Sequence, residues 1–518
     1  MKVLIGVDKG TSATKTVVID AENGRVVASA ARRTPTLDTV QGRHEEDMDT
    51  TWSCVAETLR ESLGSLRALD ADAEVLAVGV CGHMGGLWCL DADGRPAGPA
   101  IGWTDSRAVG ILEEWESQGL GPRIFDLGGN AMIAGMPSVL YAWMARHEPE
   151  FLERVTTVFM AKDFVNFRLT GQIATDESDL SFVPCDIRRR EPSPELFELM
   201  GIPGLLPLLP RAVRSETIIG HVTAAAAAQT GLPEGTPVVA GLGDSVANAL
   251  GAGAYGAGQA VTVIGTSFMN AVSTSEPVLE PTGVGFTYLM PENRWQRVLS
   301  NTGGGTLGID WYLRSLGSSD GDAIQAGETT LAELLEGPVG AVPPLANGVT
   351  FLPYLGTAGA TAPFVDPFAR ASFTGMTEAT TRHDLLRAVL EGVAYSMREC
   401  YAAMPVDVHE IRMTGGGARS ELWRQICADV MGQELAVPQV DESGAVGVAV
   451  AAGVGVGHFR DYAEGVARLV ADGTVQTPEP SRGAGYDRGY AAYRRLRSTF
   501  SELWRARAAF LDSERTPE

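Results

Sequence analysis

Apolar positions near the start of the chain come in short runs. Val3 to Val7 is one, the polar turn Asp8-Lys9-Gly10-Thr11-Ser12 follows, and a second β-rich run from Thr16 to Asp20 closes at Asn23-Gly24. Run, glycine-bearing turn and run predict a β-hairpin. The design returns at mid-chain, where Ala260 to Ile264, the turn Gly265-Thr266-Ser267 and Phe268 to Val272 repeat it. Two such units about half a chain apart predict an internal duplication, with a boundary near residues 245 to 258. Further short runs end in glycine turns: Leu76 to Val80 before Cys81-Gly82-His83-Met84-Gly85-Gly86, Pro237 to Ala240 before Gly241-Leu242-Gly243-Asp244, and Ile411 to Thr414 before Gly415-Gly416-Gly417. Helical periods lie between them, at Trp52 to Ser62, Leu385 to Tyr401 and Glu421 to Met431, and a terminal helix is expected from about Thr477. Strands alternating with helices predict the α/β class.

At 518 residues the chain exceeds the roughly 250–300 residues at which single cores stop growing, so two or more domains are expected. Hydrophobic residues at 45% against 20% charged describe a folded chain rather than a disordered one. The 41 Lys and Arg face 64 Asp and Glu, for a net charge of −23. Such a chain repels a nucleic-acid backbone or an anionic membrane, so neither is an expected partner and any phosphate must be bound locally. Lysine occurs only at Lys2, Lys9, Lys15 and Lys162, which makes one in a loop more informative. The six cysteines form no C-x-x-C pair and read as free thiols in a reducing compartment. Asp8 interrupts the first apolar run, so neither a signal peptide nor an anchor fits, and a cytoplasmic location is expected. The seven histidines show no ligand-like spacing, so no structural metal is expected.

Within Asp8 to Lys15, successive backbone N–H groups in a glycine turn can cradle phosphate oxygens while hydroxyls and Lys15 neutralise charge. An aspartate at the strand end can hold Mg²⁺, usually through water. The same residues also make an ordinary hairpin turn. Asp244 stands at an expected strand-to-helix junction, where it can cap the helix, accept a hydroxyl proton in phosphoryl transfer, or do both. Gly251 to Gly256 matches G-x-G-x-x-G, but a helix is expected before it and a strand after it, the reverse of the dinucleotide context. Gly415-Gly416-Gly417, ahead of Ser420 and the helix from Glu421, can receive an adenosine moiety or act as a tight turn with Ser420 as cap. His83 with Met84, and Trp103 with Asp105 and Arg107, can line a sugar pocket or belong to core and surface.

This constellation resembles the FGGY family of carbohydrate kinases, within the actin-like ATPase superfamily, over nearly the whole chain. The most specific match is Ala371 to Met376, then seven residues, then Asp384 to Glu391, which is similar to the family's C-terminal signature. Matching blocks surround it at Asp8 to Lys15, Gly82 to Gly86, Trp103 to Arg107, Ala161 to Asp163, Thr170-Gly171, Gly243-Asp244, Gly265 to Ser267 and Gly415 to Gly417. The resemblance implies two actin-like (ribonuclease H-like) α/β domains with an ATP cleft between them: 1–246, binding sugar, and 247–518, binding nucleotide. By the same resemblance Asp244 is the general base and Asp8 places Mg²⁺. ATP and its phosphates fall to Gly10, Thr11, Ser12, Lys15, Gly265, Thr266, Ser267 and Gly415, Gly416, Gly417, and the sugar to His83, Met84, Gly85, Trp103, Asp105 and Asp244.

Three departures bear on the substrate. Glycerol kinases carry an Arg-Glu pair where this chain has Met84-Gly85. Xylulokinases usually read Gly-Gln-Met-His-Gly, against Gly82-His83-Met84-Gly85-Gly86 here. The family's N-terminal signature has a lysine where Leu140 stands. The expectation is an ATP-dependent, xylulokinase-like kinase of a pentulose such as xylulose, acting on a terminal hydroxyl. Another ketose or a sugar alcohol of the L-xylulose, ribulose or erythritol type is the alternative, and a homodimer is a possible assembly. A catalytically silent ATP-binding regulator and a chaperone-type ATPase of the same superfamily are the rival classes. The presence of Asp8, Thr11, Asp244 and Thr266 argues against the first, and the absence of a β-rich extension after residue 460 against the second.

Overall fold

The hairpin expected at the start of the chain forms between β1 (Lys2–Lys9) and β2 (Ala13–Asp20), antiparallel with Asp8 opposite Lys15. The computed structural model describes residues 1–37, 40, 42–301 and 303–515. Its chain divides into two compact units. Met1–Ala257, Ser273–Arg297 and Val440–Ala471 make up the first, and Gly258–Val272, Val298–Gln439 and Asp472–Glu518 the second.

In the first unit β3 (Val26–Arg33) extends the hairpin antiparallel to β2, and β4 (Glu74–Gly82) lies parallel to β1 on its other side. With β5 (Ile218–His221), β6 (Pro237–Val239) and β7 (Leu242–Gly243) this gives a seven-stranded sheet of order β5-β6-β4-β1-β2-β3, with β7 also on β4. Alternate residues of a strand face opposite ways, so Val3, Ile5 and Val7 of β1 join one cluster with Val78 and Val80 of β4. Helix α1 (Met48–Leu69) covers that face through Trp52, Val55, Leu59, Leu63 and Leu66, an apolar stripe at three- and four-residue steps, and α2 (Ala161–Thr170) adds Phe164, Val165 and Leu169. Asp47 caps α1 by accepting from the Thr50 N–H.

The opposite face of β1 and β4 carries Gly6 and Gly79, and on it lies a helix from late in the chain, which with α3 (Asp244–Ala252) we number α7 (Ser443–Gly455). That helix is Gly, Ala and Val nearly throughout and buried on all sides. A Cβ on Gly6 would stand 1.9 Å from the Ala445 carbonyl oxygen, so only glycine lets the helix backbone rest on the strand. Helices α3 and α7 cross as closely, since a Cβ on Gly251 would lie 1.8 Å from the Ser443 carbonyl oxygen. The G-x-G-x-x-G string therefore begins as a helix-packing notch, and its second glycine, Gly253, ends α3 in the left-handed conformation.

The duplication expected from the sequence is present in the topology. In the second seven-stranded sheet β8 (Gln259–Ile264) pairs antiparallel with β9 (Phe268–Thr274) and parallel with β12 (Glu410–Thr414), as β1 does with β2 and β4. With β10 (Phe286–Met290), β11 (Arg294–Asn301), β13 (Leu435–Val437) and β14 (Thr474–Gln476) the order is β10-β11-β9-β8-β12-β13-β14. Helix α4 (Leu307–Ser315) follows β11, and α5 (Arg382–Ala403) starts at a capping box in which Thr381 and Asp384 exchange bonds. Ser420 caps α6 (Glu421–Met431), as one of its two readings had it. The terminal helix α8 spans Pro480–Arg515. All six cysteines are free, and among the described residues no helix is long and apolar enough to cross a membrane.

Candidate active site

The C-terminal ends of β1, β4 and β7 lie side by side, with Asp8 opposite Cys81 and Cys81 opposite Leu242. Two residues beyond Leu242 is Asp244, so the sheet register brings the two aspartates singled out from sequence to one edge. Gly243, not Asp244, is the N-cap of α3, and Asp244 occupies the first helical position, which corrects the capping alternative. Burial, and then the Asp8 charge, push Asp244 up to about 7. Asp8 is pushed up to about 6, again by burial first, with Lys15 working against it. Its Oδ1 is buried and has no hydrogen-bond partner among the described residues. Glycine at 444, in the first turn of α7, leaves room here: a Cβ there would stand 3.0 Å from Asp8 Oδ2 and 3.4 Å from Cys81 Sγ. Lys15 lies within the same unit in a 2.7 Å ion pair with Glu442, both side chains about one-third exposed.

The loop after β4 carries the expected sugar residues. The Met84 thioether rests on Gly243, whose Cβ would lie 2.7 Å from Met84 Sδ. Gly85 has φ +90°, and a Cβ there would meet the Phe182 ring at 2.8 Å and Trp103 Cβ at 3.1 Å. The histidine that xylulokinases carry at this point has neither the backbone nor the space here. His83 is 2% exposed, both its ring nitrogens lack hydrogen-bond partners, and burial pushes it down to about 3, so the ring is neutral. Its neighbour Glu46, 4.0 Å away, is 3.0 Å from the ammonium of fully buried Lys9. Burial opposes ionisation of Glu46, yet His44 and Lys9 outweigh it and hold that carboxylate at about 2.

Trp103 donates its indole N–H to Thr11 Oγ1 at 2.8 Å, tying its loop to the turn after β1. Both oxygens of Asp105 accept bonds from within the loops, from the His44 N–H at 2.8 Å and from the Arg107 guanidinium at 2.8 and 2.9 Å. Asp105 thus braces the loop that presents Trp103.

In the second unit Gly265-Thr266-Ser267 forms the turn between β8 and β9. The glycine segment after β11 packs on it: the Thr306 N–H donates to the Gly265 carbonyl at 2.7 Å, and a Cβ on Gly305 would collide with the carbonyl oxygens of all three turn residues. Beside it opens a cavity of about 200 Å³, lined by Thr306, Ile309, Leu335, Gly416, Gly417 and Trp423. Glycines in the lining of a concave site let a flat heteroaromatic ring approach the backbone closely.

Residues 3–251 match the FGGY family of carbohydrate kinases, N-terminal domain, and residues 260–456 its C-terminal domain. The chain is 31% identical to erythritol kinase of Brucella abortus, covering 97% of each sequence, and 29% identical to xylulose kinase of Bacillus subtilis, covering 98% of this chain and 99% of that one. The chain belongs to the FGGY family of carbohydrate kinases. Its structure superposes on that of xylulose kinase from Rhodospirillum rubrum with a TM-score of 0.86 at 27% identity, over 97% of this chain and 100% of the other. It is therefore an enzyme that uses ATP to phosphorylate a small sugar or polyol, with the mixed α/β, actin-like fold of that family.

Several groups around this kinase's site escape a reading of the sequence. Phe182 lies against Gly85, and Tyr288, 6.0 Å from Phe182 between ring centres, is near enough to Asp244 for that charge to raise it. Glu442 holds Lys15 from 427 positions away in sequence. No local motif announces these three. Gly303 to Gly305 did carry a signal, a triple glycine between a strand and a helix.

Proposed function

We propose that this kinase transfers the γ-phosphoryl group of Mg-ATP to a terminal hydroxyl of a pentulose such as xylulose, with Asp244 as general base. The observation that carries this is Asp244 itself: a carboxyl at the first position of α3, with no cationic partner among the described residues, raised by burial and by Asp8 to where it can take a hydroxyl proton near neutral pH. Backbone N–H groups and hydroxyls of Gly10-Thr11-Ser12 and Gly265-Thr266-Ser267 take the phosphate oxygens, and Lys15 turns from Glu442 to the same charge. The cavity at Gly416 and Gly417, with Gly415 setting its turn, takes adenosine. The orphaned Asp8 Oδ1 fits Mg²⁺, which is commonly held by one or two carboxylates together with waters and phosphates, and which would neutralise phosphate charge when bound. His83, Met84, Gly85 and Trp103 line the sugar, and Asp105 fixes the Trp103 loop. A cytoplasmic location, where ATP is supplied, goes with this reading.

A four- or five-carbon sugar alcohol is the second reading, favoured by the similarity to erythritol kinase and by the filled space at Gly85. ADP release measured with Mg-ATP across pentuloses, hexuloses, pentoses, glycerol, erythritol and pentitols decides between them. Stimulation by a pentulose upholds the first reading, stimulation by alcohols alone the second, and no stimulation by any of these overturns both.

A further inference from the structure

Beneath the Gly243–Asp244 junction runs a buried polar chain to which phosphoryl transfer gives no task. The Gly243 N–H donates to Ser178 Oγ at 2.7 Å, and the Ser178 hydroxyl donates to Asp176 Oδ2 at 2.6 Å. A hydroxyl has one proton to give, so with Gly243 as donor to it the direction of this relay is fixed. The Asp176 Oδ2 also accepts from Ser215 at 2.8 Å, while its Oδ1 lies 3.0 Å from the Lys162 ammonium. Lys162 in turn meets Asp163 at 2.5 Å and Asp179 at 3.0 Å, and none of these side chains is more than 2% exposed.

The same segment reaches the sugar loop. Met160, the N-cap of α2, accepts the Gly85 N–H on its sulfur at 3.2 Å, and Asp179 Oδ1 stands 3.3 Å from where a Cβ of Gly243 would be, next to the Met84 thioether. One ammonium among three carboxylates is an expensive way to fill a core, because apolar residues of similar volume are often at least as stabilising. What such a cluster supplies is direction: each bond fixes the next, and the last one ends on the peptide that carries the base.

We propose that Lys162, Asp176 and Ser178 are positioning residues for Asp244, holding the Gly243 peptide so that the carboxylate at the start of α3 stands in line with the sugar hydroxyl. This rests on the reading of Asp244 as the base. The polar chain acts through Ser178 on Gly243.

Ser178→Ala cuts the link while leaving Lys162, its three aspartates and Ser215 in place. The expected result is a fall in kcat of about 10–100-fold with KM for ATP within about twofold, since displacing a reacting group by about 1 Å costs on that order. Thr58→Val, which removes a buried hydroxyl bonded to Thr16 and Val55 on α1, is the control for general loosening. Its kcat should stay near wild type at a comparable loss of Tm, and equal falls in both variants would overturn the proposal. In an Asp244→Asn background S178A should cause no further loss, because the group it positions is gone; an additional loss there would also overturn it. If S178A does not fold, Ser178→Cys carries the test, with a smaller fall in kcat at unchanged KM for ATP expected and an unchanged kcat decisive against. Full turnover in D244N would remove the base assignment and this inference together, whereas a dead D244N beside a fully active S178A would remove this inference alone.

Discussion

Both Gly-Thr-Ser hairpins open a seven-stranded sheet, and in both the first strand also pairs parallel with a strand that runs into glycines, Gly82 in one unit and Gly415 in the other. Two residues before the turn glycine stands Asp8 in the first unit and Val263 in the second; one residue before it stand Lys9 and Ile264. Across the sheet, Asp8 faces Cys81 and Val263 faces Thr414. Turn and topology are thus kept through the duplication, while the carboxylate, the buried lysine and its Glu46 partner occur in one copy only. Backbone N–H groups suffice to receive phosphate oxygens, so the turn can be used twice. Moving a proton and placing a cation need carboxylates, and the carboxylates Asp8 and Asp244 both belong to the first unit.

The sharpest way to test that asymmetry is to remove its acidic half. Asp244→Asn should lower kcat by about 10²–10⁴-fold, the usual worth of a general base, with ATP affinity by calorimetry nearly unchanged. Because Asp244 must be ionised to act, wild-type kcat/KM should fall tenfold per unit as pH drops below about 7, and a profile flat down to pH 5 would contradict the assignment. Filling the other half should touch only the nucleotide. Gly416 has nothing within 4 Å of its Cβ position and lines the cavity, so Gly416→Val should raise KM for ATP about tenfold and leave KM for the sugar alone, as read by steady-state kinetics. Smaller again, Lys15→Met should raise KM for ATP several-fold, about the worth of one charge-assisted bond, while shifting Tm by no more than about 2 °C, as expected for a part-exposed ion pair.

The smallest effect is on stability. With a folded value near 7 and an ordinary unfolded value of 3.8, Asp244 holds in the folded state a proton that the unfolded chain releases between those pH values. Its contribution is therefore most favourable below pH 3.8 and is lost as pH rises towards 7. In thermal melts D244N should be more stable than wild type at pH 8, by a margin that shrinks towards pH 4.

Much of this architecture is legible in the sequence because it is local. The hairpins, the strands ending in glycines, α6 at Glu421–Met431 and the cap at Ser420 all follow from patterns within ten or so residues. The block that carries the family resemblance turns out to be structural: Asp384 closes the capping box of α5, and Glu391, buried beside Arg387, accepts from the Leu345 N–H at 3.0 Å and from Tyr486 at 3.0 Å. The helix-packing use of Gly251, the Lys15–Glu442 pair and the Lys162 cluster were not legible, since each joins segments tens to hundreds of residues apart. Asp105 shows the same limit from the other side, because its type and place suggested a sugar ligand while its partners, His44 and Arg107, tie it into the loops.

Helix α7 has a bearing on how the chain is made. It belongs to the unit that begins at Met1, yet it is residues 443–455, and it covers the faces of β1 and β4 that carry Gly6, Asp8, Gly79 and Cys81. During synthesis from the N terminus that face stays uncovered until more than four-fifths of the protein has left the ribosome, whatever the hairpin has already formed. A nascent or truncated chain ending before residue 440 would carry Asp8 on an unfinished, apolar surface. Premature termination therefore yields a chaperone client rather than a half-enzyme, and a split version of this kinase would regain activity only where the late fragment can supply that helix.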